Sequence, residues 1–470
     1  MEKSKSTTHF ATLITVFFFW GFLAASNGVF IPFCKGHFNL TQFQSQLIDL
    51  AFYLAYFLGS LSLYLYQRLS KVDLLNKIGY KMGIIYGLII SAVGALTMIG
   101  SISLGNYWLI LASFFLIAMG FSLQQTCAQP FAIALGDPAT GSHRLNLAGG
   151  VNSFAATVGP IIVSYFLFGS LKGAEKVEIS SVNTMYGFLA ALFLGVALFF
   201  YKSQLPSVTS DEELEPGAGA LKYPQLVLGM IAIFVYVGVE VTIQSNLGAL
   251  LKLPEFGGYA ESSISHFISL YWGSMMIGRW TGSITVFNLS KPWFNFWTVV
   301  VPYLAFAVIL GANIIGGNDV HELYVYAAVI PLLILAIFLG QEKPARTLLI
   351  LSFFGIASML VGLFTTGQVA VFAFVSGGLY CSTMWPCIFA LAVAGLGKYT
   401  SQGSTFLIMM ILGGAIIPPA QGLLADTSVG IHQSYWIAVV CFGYLAFYGY
   451  KVAGILKSQG VEFNQKAAAH

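Results

Sequence analysis

Apolar runs about twenty residues long follow one another through this chain, separated by short polar links, and that succession constrains the fold more than any motif does. A bilayer core about 30 Å thick needs about 20 apolar residues per helix. Such runs cover residues 10–33, 44–66, 78–100, 107–135, 145–169, 183–201, 223–251, 263–288, 293–315, 322–340, 346–365, 368–396, 402–424 and 432–455. Composition agrees: 57% of the 470 residues are hydrophobic and 8% charged, against roughly 25% charged in a soluble domain. The expectation is an all-α membrane protein of about fourteen helices.

Charge placement sets the orientation. With the amino terminus in the cytoplasm, the inward side carries Lys3, Lys5, Arg68, Lys71, Lys77, Lys81, Arg144, Lys202, Lys222, Arg279, Lys291, Lys343, Arg346, Lys398, Lys451, Lys457 and Lys466. Only Lys35, Lys172, Lys176 and Lys252 then lie outward. This satisfies the positive-inside rule and places both termini in the cytoplasm. The net charge of +3 records topology and gives no reason to expect a nucleic-acid partner. The first run is too long for a signal-peptide core. Cys34, Cys127, Cys381, Cys387 and Cys441 lie in or beside apolar runs without CxxC spacing, so they read as packing residues, with no disulfide, metal or other cofactor implied.

The most polar long link, "KSQLPSVTSDEELEPGAGALKYP", reads as a flexible cytoplasmic linker. It separates an N-terminal six-helix half, 1–201, from a C-terminal half, 223–470, with 202–222 between them. The halves echo each other: "QPFAIALG" at 129–136 by "WPCIFALA" at 385–392, "GGVNSF" by "GGAIIP", and "QRLSK" by "FNLSK". Parallel six-helix repeats of this kind are the plan of the major facilitator superfamily. The second half holds two helices too many, and the echoes place the surplus as an inserted hairpin at about 293–340, whose two spans are almost wholly apolar apart from Asn295 and Asn313 and read as lipid-facing packing.

Acids are costly inside a membrane and usually face a cavity. Two sit well inside the apolar runs, Asp49 and Glu240. Tyr236, Glu240 and Gln244 are spaced four apart, so they form one stripe on a helix. Carboxylates and amides give and take hydrogen bonds in fixed directions while an aromatic ring covers an apolar face, which suits a hydroxyl-rich ligand; the alternative is interhelical hydrogen bonding that only holds the bundle together. Gln125 and Gln129 share a face of "SLQQTCAQP", flanked by Gln124 and Thr126, and Pro130 frees a backbone carbonyl one turn earlier. Asn152 and Asn27 can complete a first-half lining. Asn27 and Asp49 lie at similar depth, where a carboxylate beside amide oxygens can hold sodium or carry a proton. Arg279 lies deeper than a loop residue but can snorkel toward the cytoplasm, and a structural gate or anchor suits it at least as well as a substrate role. Trp385 and Tyr380 are candidates for ring stacking, gating or plain packing.

The segments "FFFWGFLAASN", "AFYLAYFLGS", "SLQQTCAQPFAIALG", "HRLNLAGGVNSF", "YVGVEVTI", "MWPCIFALAV" and "GGAIIPPAQGLLAD" together resemble the fucose:proton symporter family of the major facilitator superfamily, in particular its glucose/galactose transporter branch. That resemblance implies a monomeric, multi-pass symporter of the bacterial inner membrane that moves a hexose inward on a cation gradient by alternating access. It also exposes departures. Gly28 stands where the fucose transporter has an acid after the helix-one Asn, and Gln125 where it has an acid on helix four. Asn152 keeps the family Asn, Glu240 occupies an amide position, and Asp49 replaces an amide. The expectation is therefore that Gln125, Gln129, Asn152, Tyr236, Glu240, Gln244 and Trp385 bind the sugar, while Asp49 and Asn27 couple a proton or sodium ion. A passive uniporter and an exporter of another small polar solute are the alternatives. No nucleophile elbow, metal-ligand spacing or phosphate loop points to an enzyme.

Overall fold

Each of the fourteen apolar runs contains helical backbone among the described residues. The computed structural model describes residues 8–22, 38, 42–70, 72, 74–137, 140–168, 179–207, 217–259 and 261–461. The first half holds α1 (Thr8–Phe22), α2 (Gln42–Ser70), α3 (Leu74–Ser103), α4 (Tyr107–Ala134), α5 (Gly141–Phe168) and α6 (Ile179–Lys202). The second holds α7 (Pro224–Leu251), α8 (Glu261–Ser283), α9 (Lys291–Ile315), α10 (Ile330–Gly340), α11 (Pro344–Phe364), α12 (Gly367–Cys381), α13 (Met384–Val393), α14 (Thr400–Met409), α15 (Gly413–Ala425), α16 (Gly430–Gln433) and α17 (Trp436–Ser458). Among the described residues, ten helical stretches are long and apolar enough to cross a bilayer. The helices α2, α5 and α8, of 29, 28 and 23 residues, are also of spanning length but carry more polar side chains.

Two spans are broken, for identifiable reasons. Between α12 and α13 the chain turns at Ser382 and Thr383, one turn ahead of Pro386, whose missing N–H leaves the Ser382 carbonyl without its helical donor. Between α14 and α15 a 3-10 turn at Met410–Leu412 precedes Gly413. A Cβ on Gly413 would lie 1.9 Å from the Phe234 carbonyl oxygen, so only glycine permits α15 this approach to α7.

Contacts divide the chain into two compact units. One comprises Met1–Asp137, Val158–Tyr223 and Leu396–Leu412; the other comprises Pro138–Thr157, Pro224–Gly395 and Gly413–His470. These units are not the sequence halves, because the start of α5 packs with second-half helices and α14 with first-half ones. In the first unit Tyr64 of α2 meets Phe406 of α14, their ring centroids 5.0 Å apart. In the second, Trp280 Nε1 of α8 donates to the Gly150 carbonyl of α5 at 3.1 Å. The repeat describes chain order and the units describe contact.

The inserted hairpin consists of α9, a 3-10 stretch at His321–Ala328, and α10. Its outer face exposes Trp293, Phe296 and Leu304, as a lipid-facing surface does. Its inner face is more polar than the sequence suggests. Asn313 is buried and donates to Ser269 Oγ of α8 at 2.9 Å, and Ser274 Oγ and Tyr326 OH share a hydrogen bond of 2.8 Å.

Candidate functional site

Within the second unit, the helix-seven stripe is real and has an unforeseen partner. Tyr236 OH donates to Glu240 Oε1 at 3.2 Å, which their spacing of one helical turn allows. Arg279 of α8 brings its Nη2 to 3.9 Å from the same oxygen, with both side chains 14% exposed. Of the roles open to it, the guanidinium takes that of an anchor and does not snorkel. Its Nε donates to the Ser382 carbonyl at 3.0 Å, and its Nη1 to Ser153 Oγ at 2.8 Å and to the Gly149 carbonyl at 3.4 Å. A Cβ on Gly149 would stand 3.2 Å from Arg279 Cδ, so "GGVNSF" gives the arginine its room.

The carbonyl that Pro386 strips of its donor is therefore the one that holds Arg279. Trp385, adjacent to that proline, puts its ring 6.0 Å from Tyr236 and stacks on Phe389. Tyr271 OH donates to the Glu240 backbone carbonyl at 2.6 Å. Gln244 is half-buried one turn beyond Glu240. Tyr380 is buried, its ring 5.7 Å from that of Phe354. Asn152 is half-buried on α5 next to Ser153.

The first unit builds its own polar group. The fully buried Gln124 accepts from Trp20 Nε1 at 2.9 Å and donates to Ser91 Oγ at 3.1 Å. Gln125 turns to α2, where its Nε2 donates to Tyr56 OH at 2.8 Å. Gln129 is 5% exposed, and its Oε1 has no hydrogen-bond partner among the described residues. The carbonyl freed by Pro130 is that of Thr126, and Ser404 Oγ of α14 donates to it at 2.8 Å. Asp49 lies on α2 two helical turns before Tyr56 and on the same face; its side chain, like the whole of Asn27, lies outside the described residues.

The structure thus brings Tyr236, Glu240 and Trp385 into one group and Gln125 into another, and adds Arg279, Ser153, Ser382 and Tyr271. A search for the counter-charge of Glu240 would have found Arg279, since few bases lie so deep. The second-unit group combines a carboxylate, a guanidinium, a phenol and an indole face. Such a set can orient a polyhydroxylated ligand by hydrogen bonds while covering its apolar face.

The chain is 32% identical over 442 residues to the glucose/galactose transporter of Brucella abortus, covering 93% of this chain and 92% of that one. The chain belongs to the fucose:proton symporter family of the major facilitator superfamily. Within the family it is 29% identical to the putative glucose/galactose transporter of Helicobacter pylori, over 96% of this chain and 98% of that one. It is 26% identical to the L-fucose-proton symporter of Escherichia coli, over 92% and 90%. A crystal structure of that symporter superposes with a TM-score of 0.71 at 25% identity, covering 94% of this chain and 98% of that one. No family model matches the sequence. Family membership makes the chain a multi-pass membrane transporter and not an enzyme.

Proposed function

We propose that this transporter carries a hexose such as glucose or galactose into the cell together with a cation, by alternating access. The observation that carries the reading is the Tyr236–Glu240–Arg279 group beside Trp385, because it is polar in the manner that sugar hydroxyls require. The names of the relatives support the substrate class. Gln125, Gln129, Asn152 and Gln244 are assigned to sugar binding with Tyr236, Glu240 and Trp385.

Coupling is assigned to Asp49 with Asn27, through a proton or a sodium ion. Arg279 supports this division of labour: Glu240 already has a cation supplied by the protein, whereas an ion-carrying carboxylate must meet one from solution. The protein acts as a monomer in the bacterial inner membrane with both termini cytoplasmic, organised as two six-helix repeats, 1–201 and 223–470, joined by the linker 202–222.

The test is uptake of labelled glucose, galactose, fucose and N-acetylglucosamine into liposomes holding the purified protein, with sodium and pH gradients imposed separately. Uptake of a neutral hexose stimulated by one of the gradients is the expected result. Absence of uptake for all four sugars contradicts the substrate class, and gradient-independent uptake contradicts coupling and favours a uniporter.

A further inference from the structure

A second polar site lies within the second unit, walled on one side by the inserted hairpin. A cavity of about 30 Å³ is lined by Ser142, His143 and Asn146 of α5, Thr281 of α8, Glu342 of the α10–α11 link, and Thr383. That is room for about two water-sized particles. Phe294 of α9 and Ile337 of α10 close the wall, so the hairpin helps to enclose the cavity.

Two buried oxygens in this lining lack partners among the described residues. Asn146 is 3% exposed and Thr383 1% exposed, yet Asn146 Oδ1 and Thr383 Oγ1 make no hydrogen bond. Buried polar atoms in native proteins are nearly always satisfied. Gly282 makes the space between them: a Cβ there would stand 2.9 Å from Thr383 Cγ2 and 3.0 Å from Asn146 Nδ2.

The remaining lining adds acceptors. Thr281 gives its hydroxyl proton to the Ile277 carbonyl at 2.7 Å, which leaves its lone pairs available. His143 lies against two backbone carbonyls, its Nδ1 3.0 Å from Gly282 O and its Nε2 3.3 Å from Glu342 O, and as a neutral ring it donates to one of them and brings no positive charge to the lining. Gln341 and Glu342 both adopt left-handed backbone, φ 51° and 58°, a conformation that non-glycine residues hold only when their surroundings fix it. Glu342 is the only acid in the lining, and no Lys or Arg belongs to it.

We propose that this cavity binds a small monovalent cation of sodium's size through the oxygens of Asn146, Thr383, Thr281, Ser142 and Glu342. Hard cations take oxygen ligands, and a divalent ion would call for more than one carboxylate. The site is separate from Asp49 and does not depend on the identity of the sugar.

The test follows thermal unfolding of the purified full-length protein, without sugar, in sodium, lithium, potassium or choline chloride at constant ionic strength. Sodium is expected to raise the midpoint saturably by at least about 2 °C relative to choline. The rise should persist in Asp49→Asn, vanish when Gly282→Ala, Asn146→Leu or Thr383→Val is added to Asp49→Asn, and remain when Thr383→Ser is added. Gel filtration confirms that each variant is folded, and Thr383→Val, nearly isosteric, serves if Asn146→Leu is not. An equal response in choline, a response to potassium alone, or a sodium response of Asp49→Asn that survives the addition of Gly282→Ala and of Thr383→Val overturns the proposal and leaves the cavity holding water only. A sodium response lost in Asp49→Asn but kept in Thr383→Val overturns it as well, while leaving the sugar-transport reading intact.

Discussion

Glu240 changes meaning once Arg279 is seen beside it. A largely buried carboxylate with its own guanidinium forms a pair, and breaking one side of such a pair strands the other charge. Arg279→Gln is expected to cost about 1–3 kcal/mol of stability, and Glu240→Gln/Arg279→Gln to recover part of that loss, a non-additivity that thermal denaturation in a double-mutant cycle measures. Glu240→Gln alone is expected to raise the sugar KM by about tenfold, the worth of one charged hydrogen bond, with ion dependence retained. Loss of ion dependence at unchanged sugar affinity would instead make Glu240 the coupling group. The stripe of Tyr236 and Glu240 was legible because helical spacing is local information. The direction of Arg279 was not legible, because a long side chain near a helix end can reach either way and only the three-dimensional neighbourhood of Ser382, Gly149 and Ser153 decides it.

The helices repeat one device. Pro130 in α4 and Pro386 in α13 each leave the carbonyl four residues earlier without a donor, and a polar side chain from another helix takes it: Ser404 for Thr126, Arg279 for Ser382. Sequence alone identifies the freed carbonyl, since the missing N–H is a property of proline. The donor is not legible, because it comes from a helix distant in the chain. Ser404→Ala should destabilise by about 1–2 kcal/mol by orphaning a buried acceptor. Adding Pro130→Ala, which restores the N–H, should return part of that stability; unchanged melting of Ser404→Ala would show that Thr126 finds another donor. The hairpin was legible as an apolar insertion from the echoes on either side of it. Its buried inner contacts, Asn313 with Ser269 and Tyr326 with Ser274, were not, because composition does not distinguish a face turned to lipid from one turned to protein.

At the scale of the molecule, repeated segments such as "QPFAIALG" and "WPCIFALA" mark two halves, and run length marks the spans. The compact units cut across those halves, through α5 and between α14 and α15, because packing partners are chosen by side-chain fit and not by chain order. What a hexose symporter must do as a whole is convert an ion gradient into a sugar gradient, and the account assigns that conversion to Asp49. Steady-state accumulation of labelled hexose in proteoliposomes under an imposed inward sodium or proton gradient tests this most directly. The protein is expected to raise internal sugar above the external concentration, and Asp49→Asn to equilibrate sugar without concentrating it. Accumulation that survives in Asp49→Asn, or wild-type protein that only equilibrates sugar under both gradients, would contradict it.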